Sequence, residues 1–405
     1  MSDHTTAPHG TANEPPVYVI GAGPGGLAVA AALRSRGIRT VVLEKSDAVG
    51  ASWRGHYDRL HLHTTRRWSS LPGLRIPRSF GRWVPRDRFV AYLERYARVH
   101  DLDVVTGVEV TGIEPLAAAR SEQSDKTDQS DQSEQTGQAA NGPADGARWL
   151  LRGTGGRELR ARAVVVATGF NHTPRVPNWP GLDSYTGELL HAGDYREAAP
   201  YRDRDVLVVG AGNTGAEIAT DLAECGAARV RLAVRTPPHI LRRSTLGWPS
   251  QGSGILVRRL PAALVDRAAR GVTLKAPGLG RPEKGLATRA REGAIPVQDV
   301  GLVRAVREGR VEPVAAVESF DGDKVVLADG TRITPEAVVA ATGYEQGLEP
   351  LVGALGVLGP DGRPRHRGPA APGLHFLGYI TPLSGTLREL ARTAPVVARA
   401  VAHGR

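Results

Sequence analysis

Two sets of glycines carry the first chemical signal in this sequence. Gly21, Gly23 and Gly26 stand on a GxGxxG spacing, and Gly210, Gly212 and Gly215 repeat it in GAGNTG. Glycine at these places permits a tight turn, close approach of a pyrophosphate to the backbone, and tight packing of a helix on a strand. The helix that follows offers free N–H groups to the anion. Each set leads to a strand that ends in a charge, and the two charges differ in sign. Glu44 can accept hydrogen bonds from both ribose hydroxyls of an adenine nucleotide, whereas Arg235, followed by Thr236, suits a 2′-phosphate that a carboxylate would repel. Two nucleotide sites with different ribose chemistry point to a flavin in the first and NADPH in the second, with hydride passing between them.

This chemistry requires strand, turn, helix and strand, twice. Residues 17–20 form a short apolar run with β-branched residues, bounded by Pro15 and Pro16, as a buried parallel strand should be; an Ala-rich helix follows, with Gly37 as its C′ residue. Residues 40–43 make the next strand. The second unit reads the same way: VLVV, the glycine turn, a helix to Cys225, a stop at Gly226, and RVRLAV. Two further stretches echo one another, AVVVATGF at 163–170 and EAVVAATGY at 336–344, and would let the chain leave one nucleotide domain and return to the other. The expected fold is α/β, with two Rossmann-like dinucleotide-binding domains and the NADP domain inserted into the FAD domain. The expected boundaries are a disordered tail over 1–16, an FAD domain over 17–172 and 345–405, and an NADP domain over 173–344.

Between these units the sequence is less regular. Residues 47–77, rich in Trp, His and Arg, read as a loop covering a ligand, and Trp53, a few positions past Glu44, reads as a cofactor contact. Residues 87–99 carry apolar side chains at helical spacing and form a scaffold helix. Residues 117–148 are polar and repetitive, and form a disordered insertion at the tip of a hairpin. A closing helix spans 387–401, kinked at Pro395.

Composition narrows the chemistry. The single cysteine, Cys225, excludes a dithiol–disulfide reaction and a cysteine-held metal site, so no metal is expected. No run is long enough to span a bilayer and the N-terminus has no apolar core, so a cytoplasmic protein without membrane contact is expected. The net charge of +10 rests mainly on arginine, 47 of the 52 basic residues, scattered along the chain. That scatter argues against a nucleic-acid partner. A small-molecule substrate and oxygen are the partners that remain.

The stretch YTGELLHAGDYR resembles the identifying motif of the class B flavin monooxygenases at Tyr185, Gly187, His191, Tyr195 and Arg196, with tyrosine at 185 where the family usually has phenylalanine. YDRLHLHT at 57–64, FVAYLERYA at 89–97, GRPEKG at 280–285 and PVQDVG at 296–301 resemble blocks of the YUCCA-type branch in the same order. The resemblance implies that NADPH reduces FAD, that oxygen adds to the flavin as a C4a-(hydro)peroxyflavin, and that the oxidised nucleotide stays bound to shield it. It places Gly21, Gly23, Gly26, Glu44, Trp53, Thr168 and Gly169 at FAD, and Gly210, Gly212, Asn213, Thr214, Gly215 and Arg235 at NADPH. It also places His63 where other members carry an asparagine beside the flavin, as a candidate catalytic residue. YUCCA-like conversion of an α-keto acid with loss of carbon dioxide is favoured. N- or S-oxygenation, Baeyer–Villiger oxidation and a flavin reductase serving a partner protein stay open.

Overall fold

The structure, a computed structural model, describes residues 14–116, 146–366 and 368–404. Of the expected tail, residues 1–13 lie outside the described residues, as do 117–145 of the expected insertion.

Two five-stranded parallel sheets organise the chain. In the first, the strand Val17–Ile20 lies between Thr40–Leu43 and Ala163–Val166, and the sheet is completed by Asp103–Val105 on one edge and Leu374–Phe376 on the other. In the second, Asp205–Val209 lies between Arg229–Ala233 and Ala337–Ala340, flanked by Glu312–Val314 and Glu188–His191. Their central strands are buried on both faces, which is why they read as unbroken apolar runs instead of alternating ones. The two ATG echoes are the strands beside the two glycine turns. The last strand and the closing helix Thr386–Ala402 both return to the first sheet, the helix packing on Pro24–Arg34 through Leu390, which would lie 3.2 Å from a Cβ at Gly25. That helix runs through Pro395.

Some boundaries differ from expectation. The chain is already anchored at residues 14–16, because Arg162 donates from its backbone to the Pro16 carbonyl and its side chain pairs with Glu14. Residues 146–148 are likewise not part of a disordered insertion: Ala147 is buried, Leu116 donates to Arg148, and Arg148 donates to Ala161. Polar, glycine-flanked sequence hid a stretch whose backbone completes the hairpin Trp149–Gly153 with Arg157–Ala161. The first helix, Pro24–Arg34, is capped by Ser35, and Gly37 takes up the left-handed conformation two residues later.

Candidate functional site

The two glycine turns have the same geometry. Gly21 and Gly210 sit at φ +104° and +111°, a region that favours glycine, and a Cβ on either would approach the carbonyl oxygen of Ala167 or Ala341 to 2.7 or 2.6 Å. Gly26 and Gly215 let each helix press on its own strand, for a Cβ there would overlap the carbonyl oxygen of Gly21 or Gly210. Gly23 and Gly212 are different. A Cβ at either meets no protein atom within 4 Å, although both cap helices that have no side-chain cap. Open space in front of uncapped helix N–H groups fits a pyrophosphate, and it occurs at both turns.

The surroundings of the turns then diverge. Beside the first, Glu44 lies buried at its strand end and accepts from the backbone N–H of Ala22 at 2.7 Å and of Ser46 at 3.0 Å, which fixes the carboxylate next to the glycines. Thr168 and Gly169 continue from Ala167. Thr168 shares a 2.7 Å hydrogen bond with the buried Tyr379, whose hydroxyl is pushed well above its ordinary value by burial, while Gly169 turns at φ +95° with open space around it. Trp53 rests its edge on Phe89, ring centres 4.6 Å apart, at the junction of two hydrophobic clusters.

The second turn opens into a cleft of about 400 Å³ lined by Gly210, Gly212, Arg235 and Thr342, together with Arg175 and Arg289. The last two arginines were not read from the sequence. Arg289 is held by a hydrogen bond to the Pro237 carbonyl, and an arginine in a helix far along the chain gives no local signal that it faces a glycine turn. Asn213 and Thr214 begin the helix Asn213–Cys225. The Asn213 side chain is already engaged, donating to Pro296 and accepting from Gln298, so it braces the PVQDVG block against the helix.

The YTGELLHAGDYR residues brace the same region. Tyr185 donates to the Pro335 carbonyl, and its ring fills the space where a side chain at 187 would go. His191 bonds the Gly343 carbonyl at 3.0 Å through Nε2 and accepts from Gly193 through Nδ1, which assigns its proton to Nε2. Tyr195 donates to Asp221, and Arg196 bonds the Gly193 carbonyl. The motif thus holds the turn after Ala337–Ala340 and the helix after Gly212 in place.

His63 lies in the segment that joins the two halves. Its Nδ1 is buried, makes no hydrogen bond, and faces Glu217 Oε1 at 3.4 Å, while 27 % of the side chain is accessible. Burial, aided by the nearby Arg243 guanidinium, pushes its pKa down to about 4, so the ring is neutral near pH 7. Among the described residues no group of three or more His, Cys, Asp or Glu could hold a metal ion, and no helix is long and apolar enough to cross a membrane.

Comparison with known proteins places this geometry. Residues 154–351 match the flavin-binding monooxygenase-like family, and residues 15–246 match the pyridine nucleotide-disulphide oxidoreductase family. The chain is 36 % identical to the indole-3-pyruvate monooxygenase YUCCA1 of Oryza sativa subsp. japonica over 82 % of this chain and 78 % of that protein. It is 31 % identical to the probable indole-3-pyruvate monooxygenase YUCCA3 of Arabidopsis thaliana over 89 % of this chain and 81 % of that one. A double mutant of the flavin monooxygenase of Stenotrophomonas maltophilia superposes with a TM-score of 0.68 at 25 % identity, covering 95 % of this chain and 98 % of that one.

Proposed function

Since the chain belongs to the class B flavin-dependent monooxygenases, near their YUCCA-type branch, and is an NADPH- and oxygen-dependent enzyme using FAD, we propose that its substrate is a small 2-oxo acid. The reaction that balances is 2-oxo acid, O2, NADPH and a proton giving the carboxylic acid one carbon shorter, CO2, NADP⁺ and water. The observation that carries this reading is the pair of open glycine cradles whose strands end in Glu44 and Arg235, set in a chain 36 % identical to an indole-3-pyruvate monooxygenase.

We assign FAD to Gly21, Gly23, Gly26, Glu44, Trp53, Thr168 and Gly169, in a domain of residues 17–172 and 345–405. NADPH falls to Gly210, Gly212, Asn213, Thr214, Gly215 and Arg235, in a domain of residues 173–344. Asn213 would contribute its backbone, and Arg289 and Arg175 would add to the charge that meets the phosphates. When bound, FAD supplies the two-electron exchange with NADPH and the reaction with oxygen. The chain's own work is to orient and to exclude water. Helix N-termini hold the pyrophosphates, Glu44 orients the ribose, and Arg235 selects the 2′-phosphate. The segment bearing His63 closes on the NADPH-side helix through Tyr57 to Glu217 at 2.8 Å and Arg59 to Asp221 at 3.0 Å, which seals the join between the halves.

The test is to supply purified yellow protein with NADPH, oxygen and a series of 2-oxo acids, amines, sulfides and ketones. Substrate-dependent oxygen uptake with release of CO2 from the 2-oxo acids is expected. Uptake with the amines, sulfides or ketones alone would overturn the 2-oxo acid assignment.

A further inference from the structure

The helix Asn213–Cys225 carries acidic residues that cofactor binding does not use. Glu217, Asp221 and Glu224 recur along one side of it, and the segment 57–63 lies across them. Arg59 pairs with Asp221 at 3.0 Å and with Glu224 at 3.1 Å, and Tyr195 also donates to Asp221. Glu217 is placed differently. It is 3 % exposed, and among the described residues no lysine or arginine nitrogen lies within 4 Å of its carboxyl. Its neighbours are the Tyr57 hydroxyl, which donates to Oε2, and His63 Nδ1, which faces Oε1. Arg243 is near both but directs its guanidinium to the Leu62 carbonyl at 2.6 Å and stacks on Trp83. A buried carboxyl is costly unless satisfied, and a buried neutral ring nitrogen without a partner carries a smaller cost of the same kind. Tyr57 satisfies one carboxyl oxygen, and the other, Oε1, is the polar atom that faces the unpartnered His63 Nδ1.

We propose that Glu217 is a positioning residue for His63: the protonation state of its carboxyl selects which ring nitrogen carries the proton, and so whether the accessible edge of the ring donates or accepts a hydrogen bond. This rests on the monooxygenase reading and on the placing of His63, by resemblance, as a candidate catalytic residue beside the flavin. A protonated Glu217 donates to Nδ1 and leaves the ring proton on Nε2. An ionised Glu217 accepts from Nδ1–H and leaves Nε2 bare; the pair releases one proton to solvent, and the ring stays neutral throughout. The electrostatics around the pair allow the exchange near neutrality. Burial raises Glu217 to about 7, with Asp221 adding to the rise and Tyr57, Arg243 and Arg59 opposing it, while burial and Arg243 keep the His63 ring from charging.

The experiment uses the full-length protein as purified, labelled with ¹⁵N-histidine, with the His63 ring signals assigned by their loss in His63→Asn. Between pH 5.5 and 8.5 the wild-type ring should pass from the Nε2–H to the Nδ1–H tautomer. In Glu217→Gln, whose amide does not titrate in this range, the ring should keep a single tautomer at every pH. Peroxide released per NADPH consumed should follow pH in the wild type and lose that dependence in Glu217→Gln. A wild-type ring that keeps one tautomer across the range, or a switch that persists in Glu217→Gln, would overturn the proposal. The wild-type titration decides even if the variant does not fold. A protein that binds flavin and turns over without the switch refutes only the role of Glu217, whereas a colourless protein that shows the switch refutes the monooxygenase reading instead.

Discussion

Replacing Gly212 with alanine should separate folding from nucleotide binding. The position has φ −78° and ψ −176°, which any residue adopts, and the added Cβ meets nothing within 4 Å. Alanine is a poorer helix cap than glycine by somewhat under 1 kcal/mol, and loss of unfolded-state freedom returns about 0.4–1 kcal/mol, so the folded protein should change by less than about 0.5 kcal/mol. The open space is nonetheless where the pyrophosphate must approach, and a methyl group there displaces it from the helix N–H groups. Losing a charge-assisted hydrogen bond costs about 1.5–3 kcal/mol, or roughly 10- to 150-fold in NADPH affinity. Thermal unfolding and FAD content should match the wild type while NADPH titration shows the loss. Gly215→Ala is the contrast, since its Cβ would overlap the Gly210 carbonyl oxygen and should reduce stability itself. If Gly212→Ala binds NADPH as tightly as the wild type, the cradle is misassigned.

Other expectations follow from the same geometry. Arg235→Ala should reduce the preference for NADPH over NADH by about tenfold or more, measured as a ratio of kcat/KM values, with binding of NADH little changed; an unchanged ratio would shift the role to Arg289. Glu44→Ala removes the acceptor for Ala22 and Ser46 as well as the proposed ribose contact, and should yield protein depleted of FAD in its absorption spectrum. Because burial raises Glu217 from 4.5 to about 7, its protonated form favours the folded state, and that stability is lost as pH rises from the first value through the second. Glu217→Gln lacks the loss, so its stability relative to the wild type should grow by up to about 3 kcal/mol between pH 5 and pH 8, and a difference that stays flat in thermal unfolding would contradict the assignment. His63→Ala should raise the share of NADPH electrons that end as hydrogen peroxide, and unchanged coupling would remove His63 from the reaction site.

The parts legible in the sequence are those set by local backbone chemistry. Two glycines of each triplet stand where a Cβ would meet a carbonyl oxygen, and the apolar strands beside them are continuous, so both glycine turns and the inserted order of the sheets could be read directly. The two strand echoes 163–170 and 336–344 worked for the same reason. What escaped depends on contacts between distant segments. Tyr57 meets Glu217 across 160 positions, and Asn213 meets Pro296 across 83. Nothing near Asn213 signalled that its amide braces a loop. For Glu217 a signal did exist: a charged residue stands on the helix face that also buries Ile218 and Leu222, where an unpaired charge needs a partner. Arg175 and Arg289 gave no such hint, for exposed arginines abound in this chain.

The central claim is that this protein places one oxygen atom of O2 in the carboxylic acid formed when a 2-oxo acid loses carbon dioxide. With ¹⁸O2, NADPH, an aryl 2-oxo acid and enough catalase to remove free hydrogen peroxide, the product acid should carry one ¹⁸O atom, with one CO2 released per NADPH oxidised. Absence of labelled acid under catalase, with NADPH still consumed and its electrons recovered as water and oxygen from peroxide, would contradict it.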